Sequence, residues 1–455
     1  MRATPIAVVG GGLAALVVAH LLQRAGHDVM VLGGSPSSGD LLRTERDGPW
    51  TWEAGSHLFS GIPREVLALF EDLGITRLTP DPVSDRRYLV HKGAVVPVPA
   101  STGEMMVTPL LSVAGRLRLL REPFLARGGH ASETVAAFVR RRMGAEFSER
   151  FVEPVVAAST GGDPTALLAR FAFGESVRFE QAAGSILKGR MHASRRARRE
   201  GRRPVPPWSC REGVAAVPAQ LATALGDAHR RGPAGTVVTL DHVGGGWRLR
   251  TGDGATHPAR AVCLTTRPTL LAAAIDTGGG DASSARAVLA AVPHGSSATV
   301  ALGYRRTQVA HPLDGHGMVA GEAGAAGFRS VVFDSTLFPD RAPADHVLLT
   351  VQVGGVHDPR TADLPDAELL RHATRAVAPL LGISGPPVMH GIGRWPEALP
   401  QAVAGHTAVC AAAEALEAAH PGLVLCGAWR DGLGESVVIR SGLLAVERLR
   451  PILEA

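Results

Sequence analysis

The run "IAVVGGGLAALVVAHLLQRAGHDVMVL", residues 6–32, decides the fold. Its first four residues are apolar and read as a short buried strand. Gly10, Gly11 and Gly12 then make a tight turn, and the apolar stretch from Leu13 reads as a helix that stops at Gly26. "DVMVL" is a second strand. A strand, a glycine turn, a helix and a strand of these lengths form a right-handed βαβ unit, the opening of a doubly wound sheet. Gly10 and Gly12 are spaced to let the backbone approach a pyrophosphate, whose charge meets the helix N-terminus at Leu13 and Ala14. Ala15 stands in for a third glycine.

The second strand ends unusually. In such a unit a carboxylate closes this strand and holds a ribose, but here the strand runs into Gly33 and Gly34. Losing one charged hydrogen-bonding partner costs about 1–3 kcal/mol, which weakens a dinucleotide without excluding it. A phosphorylated ribose would call for a nearby arginine, and "GGSPSS" (33–38) supplies none.

The chain of 455 residues suffices for two or three domains, with 45% hydrophobic and 20% charged residues, as in an ordinary globular protein. Its net charge of +5 comes from arginine, since Lys92 and Lys188 are the only lysines, and does not by itself indicate nucleic acid. The four cysteines, Cys210, Cys263, Cys410 and Cys426, show no CxxC pattern, which fits a reducing cytoplasm and argues against a disulfide framework or a zinc site. The N-terminus reads as a folded strand, not a signal peptide, and no apolar run has membrane-spanning length.

Residues 103 to about 173 are patterned as helices. Leu110, Val113, Leu117, Leu120 and Phe124 fall on one face, expected to pack on the core; the sharper reading is a basic, amphipathic surface lying on a membrane. Ser132 is the expected N-cap of the next helix, with arginines on its outer face. Residues 189–207 hold seven arginines and read as a solvated loop, or as a guiding surface for an anionic substrate or lipid. No aromatic residues are interleaved with these charges, so nucleic acid is not expected. "TGDG" (251–254) reads as a hairpin turn and "DTGGGDASSA" as a flexible break near residue 280. "SSATVALGYRR" and "HVLLTVQVGG" predict strands of another sheet, "GLVLCG" a strand of the first, and "VVIRSGLLAVERLRPIL" a closing helix. No internal repeat is present.

Beyond the glycine turn, segments along nearly the whole chain are similar to the protoporphyrinogen/coproporphyrinogen oxidase family of the flavin amine-oxidase superfamily. These are "RRYLVHKGAVVPVP", "GRLRLLREPF", "FVEPVVAASTGGDPTALLARFAF", "CREGVAAVPAQLATAL", "STLFPDRAPADHVLLTVQVGG", "RWPEALPQAVAGH" and "GLGESVVIRSG", in order. The resemblance implies an α/β fold with a Rossmann-like FAD-binding domain, a mixed-sheet substrate domain and a helical insertion. The expected cofactor domain is discontinuous (1–80, 208–275 and 418–455), the substrate domain spans 81–102 and 285–417, and the helical insertion spans 103–207. FAD is the implied cofactor, with contacts at Gly10, Gly12, Leu13, Ala14, Gly39, Arg43, Gly55, Val238, Gly427 and Gly434. A porphyrinogen is the implied substrate, and Arg87 is placed to meet a propionate through its bidentate fork.

Several positions depart from the family at these contacts. Gly33 replaces the ribose carboxylate, and Asp40 follows Gly39 where a second glycine would face the phosphates. Ala428, Trp429 and Arg430 replace the usual residues of the C-terminal motif, and Glu435 falls beside the expected flavin pyrimidine edge. Three readings stay open. The first is an FAD-dependent oxidoreductase of a hydrophobic or carboxylated small molecule. The second is a cofactor-free descendant, its cleft filled by Trp429 or Arg430, catalysing an isomerisation, cyclisation or elimination. The third is a non-enzymatic tetrapyrrole-binding protein. His57 and Glu53 in "WEAGSHLF" are the candidate proton-transfer groups, joined by Asp40 and Glu435 if flavin is absent. A cytoplasmic chain with peripheral membrane contact, no nucleic-acid partner, no metal and a homodimeric assembly completes the expectation. Restoring Gly33→Glu and Asp40→Gly is expected to tighten FAD if the cleft is merely weakened.

Overall fold

The computed structural model describes residues 4–33, 41–202, 204–268, 275–276, 280–321 and 326–454. The βαβ unit forms as read. β1 (Ile6–Val9), α1 (Leu13–Arg24) and β2 (Val29–Leu32) begin a five-stranded sheet completed by β3 (His229–Arg230), β4 (Ala261–Leu264) and β5 (Leu423–Leu425). The strand order is β5-β4-β1-β2-β3 and every pairing is parallel. β1 is buried along its whole length, as a parallel strand covered on both faces must be. Alternate residues serve two cores. Ile6, Val8, Val31, Cys263 and Val424 pack with α1 and the closing helix α2 (Glu435–Glu454). Ala7, Val9, Leu32, Leu264 and Leu425 pack on the opposite face with the helices Gly280–Ala290 and His406–Ala419.

A seven-stranded mixed sheet lies beside it. Its strands run in the order Met389–Pro400, His294–Arg305, His346–Gly354, Ser330–Val332, Gly317–Ala320, Tyr88–His91, Ala94–Pro97. A two-stranded ribbon, Thr44–Asp47 antiparallel to Trp50–Glu53, lays its indoles on the mixed sheet. A side chain on Gly391 would meet the ring of Trp52 at 2.4 Å, and one on Gly303 would meet Trp50 at 2.7 Å, so glycine lets both indoles lie flat on the strands. The "TGDG" hairpin is present, with Gly246–Thr251 antiparallel to Thr256–Ala259.

Five sequence expectations are corrected. Leu110 is buried, but Val113, Leu117, Leu120 and Phe124 are 52–86% exposed. Leu119, on another edge of that helix, packs instead with Leu110, Leu111 and Phe151, while Arg118 fixes the rotation by donating to the carbonyls of Arg141 and Arg142. Thr134, not Ser132, caps the helix Val135–Met143 by accepting from the amide of Ala137. The arginines of that helix are not all external, because Arg142 is fully buried in an ion pair with Glu122. Residues 186–199 form a helix rather than a loop, started by the Ser185 hydroxyl, which accepts from the amide of Lys188. The break expected near residue 280 is occupied from Gly280 onward by a helix, while residues 277–279 lie outside the described residues.

Candidate functional site

The glycine turn after β1 is built for close approach. A Cβ on Gly10, whose φ is +136°, would lie 2.1 Å from the hydroxyl of Thr265, and one on Gly11 would lie 2.7 Å from the carbonyl of Gly33. Gly12 then starts α1 in an extended conformation and has no side chain of its own to cap the helix. Leu13, Ala14 and Ala15 are buried against the sheet, so the helix start is held rigidly under the turn. The result is a helix N-terminus entered through glycines packed closely against Thr265 and Gly33, a turn of the kind that receives a diphosphate.

A second element, residues 54–57, follows the two-stranded ribbon and lies against the mixed sheet. The amide of Ala54 donates to the carbonyl of Arg43 and that of Ser56 to the carbonyl of Leu41. Only glycine fits at 55, because a Cβ there would stand 2.1 Å from the carbonyl oxygen of Leu41. From the mixed sheet, Trp395 donates its indole N–H to Ala54 and Gln352 reaches the carbonyl of Gly55. Arg440 of α2 donates to the carbonyl of Gly61. His57 is thereby fixed in place. Its Nδ1 lies 2.9 Å from Oδ1 of Asp334, and both side chains are buried. His57 Nε2 and Asp334 Oδ2 have no hydrogen-bond partner among the described residues. His316 is part of the same neighbourhood, its pKa pushed down to about 4, chiefly by burial and then by the charge of Arg87.

Asp334 went unread in the sequence because it is 277 residues from its partner. The available signal was an acid inside the apolar run "VVFDSTLF". A carboxylate among such neighbours needs a polar partner.

Glu53 has a different role. It accepts from the hydroxyl of Thr44 at 2.6 Å and the amide of Val214 at 3.2 Å, and pairs with Arg341 at 3.1 Å, all within the interior. Burial raises its pKa and the Arg341 charge opposes that rise. Its lone pairs are used in tying strands together, so it positions the His57 loop. Arg43 pairs with Glu45 and stacks over Trp395 at 4.8 Å. Gly427, at φ +123°, donates its amide to Ser441, and Gly434, at φ +105°, leads into α2, whose first turn carries the half-buried Glu435. Val238 is exposed on a strand of the separate four-stranded sheet that carries the hairpin. Arg87 is exposed and makes no ion pair among the described residues, leaving its guanidinium available to a ligand. Gly39 and Asp40 lie outside the described residues.

Trp429 packs in the core on the sheet face away from α1, in one cluster with Leu425, Val409 and Leu264. Arg430 is turned to Glu417 at 2.7 Å and to the carbonyl of Leu425. Among the described residues no cluster of potential metal ligands is present, and no helix is long and apolar enough to cross a membrane.

Comparison with known proteins agrees with this geometry. A family model described as flavin containing amine oxidoreductase matches residues 13–450. The chain is 25% identical to protoporphyrinogen oxidase 2, chloroplastic/mitochondrial, of Arabidopsis thaliana, over 99% of this chain and 94% of that protein. It is 26% identical to coproporphyrinogen III oxidase of Bacillus subtilis over 97% of each. Its fold superposes with a TM-score of 0.79 on a crystal structure from Exiguobacterium sp. 255-15 assigned as a protoporphyrinogen oxidase, with 21% identity and complete coverage of both chains.

Proposed function

The chain belongs to the flavin-containing amine oxidoreductase family, and from that premise we propose that it is an FAD-dependent oxidase or dehydrogenase of a porphyrinogen-type, carboxylate-bearing substrate. The glycine turn and the start of α1 fit the diphosphate of FAD, and Gly434, exposed and with open space where a side chain would stand, leaves backbone free for close approach at the start of α2. Bound FAD supplies the hydride acceptor.

The observation that carries the reading is the buried His57–Asp334 pair with its open Nε2. Dehydrogenation across an N–H and a C–H bond releases a proton, and a base must take it. The Asp334 carboxylate accepts from Nδ1–H of His57, which leaves Nε2 as a lone-pair acceptor held in one orientation. Arg87 offers an exposed guanidinium, without an ion pair among the described residues, to a substrate carboxylate. The exposed row Val113, Leu117, Leu120 and Phe124, with the exposed Arg121 on the same segment, suits an anionic membrane surface reached from the cytoplasm. The same His–Asp pair can also move a proton without redox chemistry, which keeps an isomerase reading as the second choice.

The test is anaerobic mixing of FAD-loaded protein with coproporphyrinogen III and protoporphyrinogen IX. Bleaching of the flavin band on anaerobic mixing, followed by flavin recovery and growth of porphyrin fluorescence once oxygen is admitted to complete the six-electron oxidation, supports the proposal. A flavin that stays oxidised with both substrates rejects the porphyrinogen assignment.

A further inference from the structure

β3 delivers a side chain to the end of β2 that the strand itself lacks. Val31 pairs with His229 and Leu32 with Arg230, and the amide of Gly33 donates to the carbonyl of Arg230 at 3.0 Å. A Cβ on Gly33 would lie 2.6 Å from Nε2 of His229 and 3.1 Å from Cα of Gly11. The imidazole edge thus stands where the side chain of a strand-ending carboxylate would begin, beside the glycine turn. That Nε2 is buried and has no hydrogen-bond partner among the described residues.

The tautomer follows from its neighbour. Nε of Arg231 lies 3.4 Å from Nδ1 of His229, a long contact, and a guanidinium can only donate. Nδ1 is therefore the acceptor, and the neutral ring carries its proton on Nε2. Burial, and then the charge of Arg231, lower the pKa of His229, so the ring is neutral at physiological pH. A buried N–H without an acceptor is costly, and in this unit the end of β2 is where a ribose is held.

We infer that His229 replaces the missing ribose carboxylate, donating its Nε2–H to a hydroxyl of the adenine-side ribose of the bound dinucleotide. The inference rests on the proposed FAD dependence. It reverses the hydrogen bond, since a carboxylate accepts from the ribose where the imidazole donates to it. It also explains Gly33, because any side chain there collides with the ring. Restoring the carboxylate alone is then unfavourable, contrary to the expectation from sequence.

Calorimetric titration of the full chain, freed of flavin, with FAD, ADP and 2′,3′-dideoxy-ADP tests this. Wild-type protein is expected to bind ADP about 3–10-fold more tightly than the dideoxy form, the range of one hydrogen bond. His229→Phe, which fills the space without a donor, is expected to lose that preference, and His229→Gln to keep part of it. Gly33→Glu alone should weaken ADP, and Gly33→Glu combined with His229→Gly should regain the ribose preference. Unfolding midpoints establish that each variant is folded. Wild-type protein that binds FAD but does not distinguish the two ADP forms, or a His229→Phe variant that still does, overturns the inference and leaves the FAD assignment standing. Wild-type protein that binds neither FAD nor ADP overturns both.

Discussion

Nδ1 of His57 lies 2.9 Å from Oδ1 of Asp334, and the remaining polar atom of each side chain, Nε2 and Oδ2, is buried without a partner among the described residues. Two unsatisfied polar atoms in one buried pair are costly in a structural site, which is the usual mark of a site that meets a ligand. His57→Ala is expected to lower turnover about 100-fold, the lower end of the range for general acid–base groups, with flavin content unchanged. Asp334→Asn is expected to lower kcat with little effect on KM, because it acts through the orientation of His57. Steady-state kinetics with flavin quantification check both, and an unchanged kcat in His57→Ala would remove the pair from the chemistry.

Glu53 gives the opposite pattern. It is buried, accepts from Thr44 and Val214, and neutralises Arg341. Glu53→Gln breaks a buried ion pair and leaves the Arg341 charge uncompensated, at a cost of about 3–5 kcal/mol. Denaturant unfolding of the variant should show that loss. Full stability combined with loss of turnover would mean that Glu53 is a chemical group after all.

The fold is expected to weaken in mild acid through His316. Its folded pKa of about 4 lies below the free value of 6.5, so the unfolded chain takes up a proton that the folded chain refuses. Stability from this residue is present above pH 6.5, falls as the pH drops toward 4, and is flat below that. His316→Asn should flatten the stability curve between pH 6.5 and 4 in chemical unfolding series. A slope identical to wild type would show that another group carries it.

The helix Val113–Leu120 turns its apolar row outward. Leu117→Asp with Phe124→Asp should abolish co-sedimentation with vesicles containing phosphatidylglycerol. Stability should change by under about 0.5 kcal/mol per site, as for exposed positions. Wild-type protein that stays in the supernatant would leave the row without a membrane role.

The βαβ unit was legible because its strands are short continuous apolar runs and its turn is pure glycine, signals set by backbone geometry alone. The substrate sheet was legible in its long strands, His294–Arg305 and His346–Gly354. The rotation of the helix Val113–Leu120 was not, since an apolar row shows which residues share a face but not whether that face meets protein. Arg142 was misplaced for a similar reason, as its partner Glu122 lies twenty residues earlier. In the site, His57 and Gly55 could be read from one local motif. Asp334 and His229 could not, because each acquires its meaning only when a distant strand is laid beside it. Trp429 marks the same limit, its indole lying in the core under β5, which local sequence does not reveal.

The most direct test of the account is the visible spectrum of the purified protein before and after incubation with excess FAD and desalting. The account predicts a retained flavin band, seated by the glycine turn and α1. A protein that remains colourless after that treatment would contradict it, and the chemistry of His57 and Asp334 would then have to be sought without a redox cofactor.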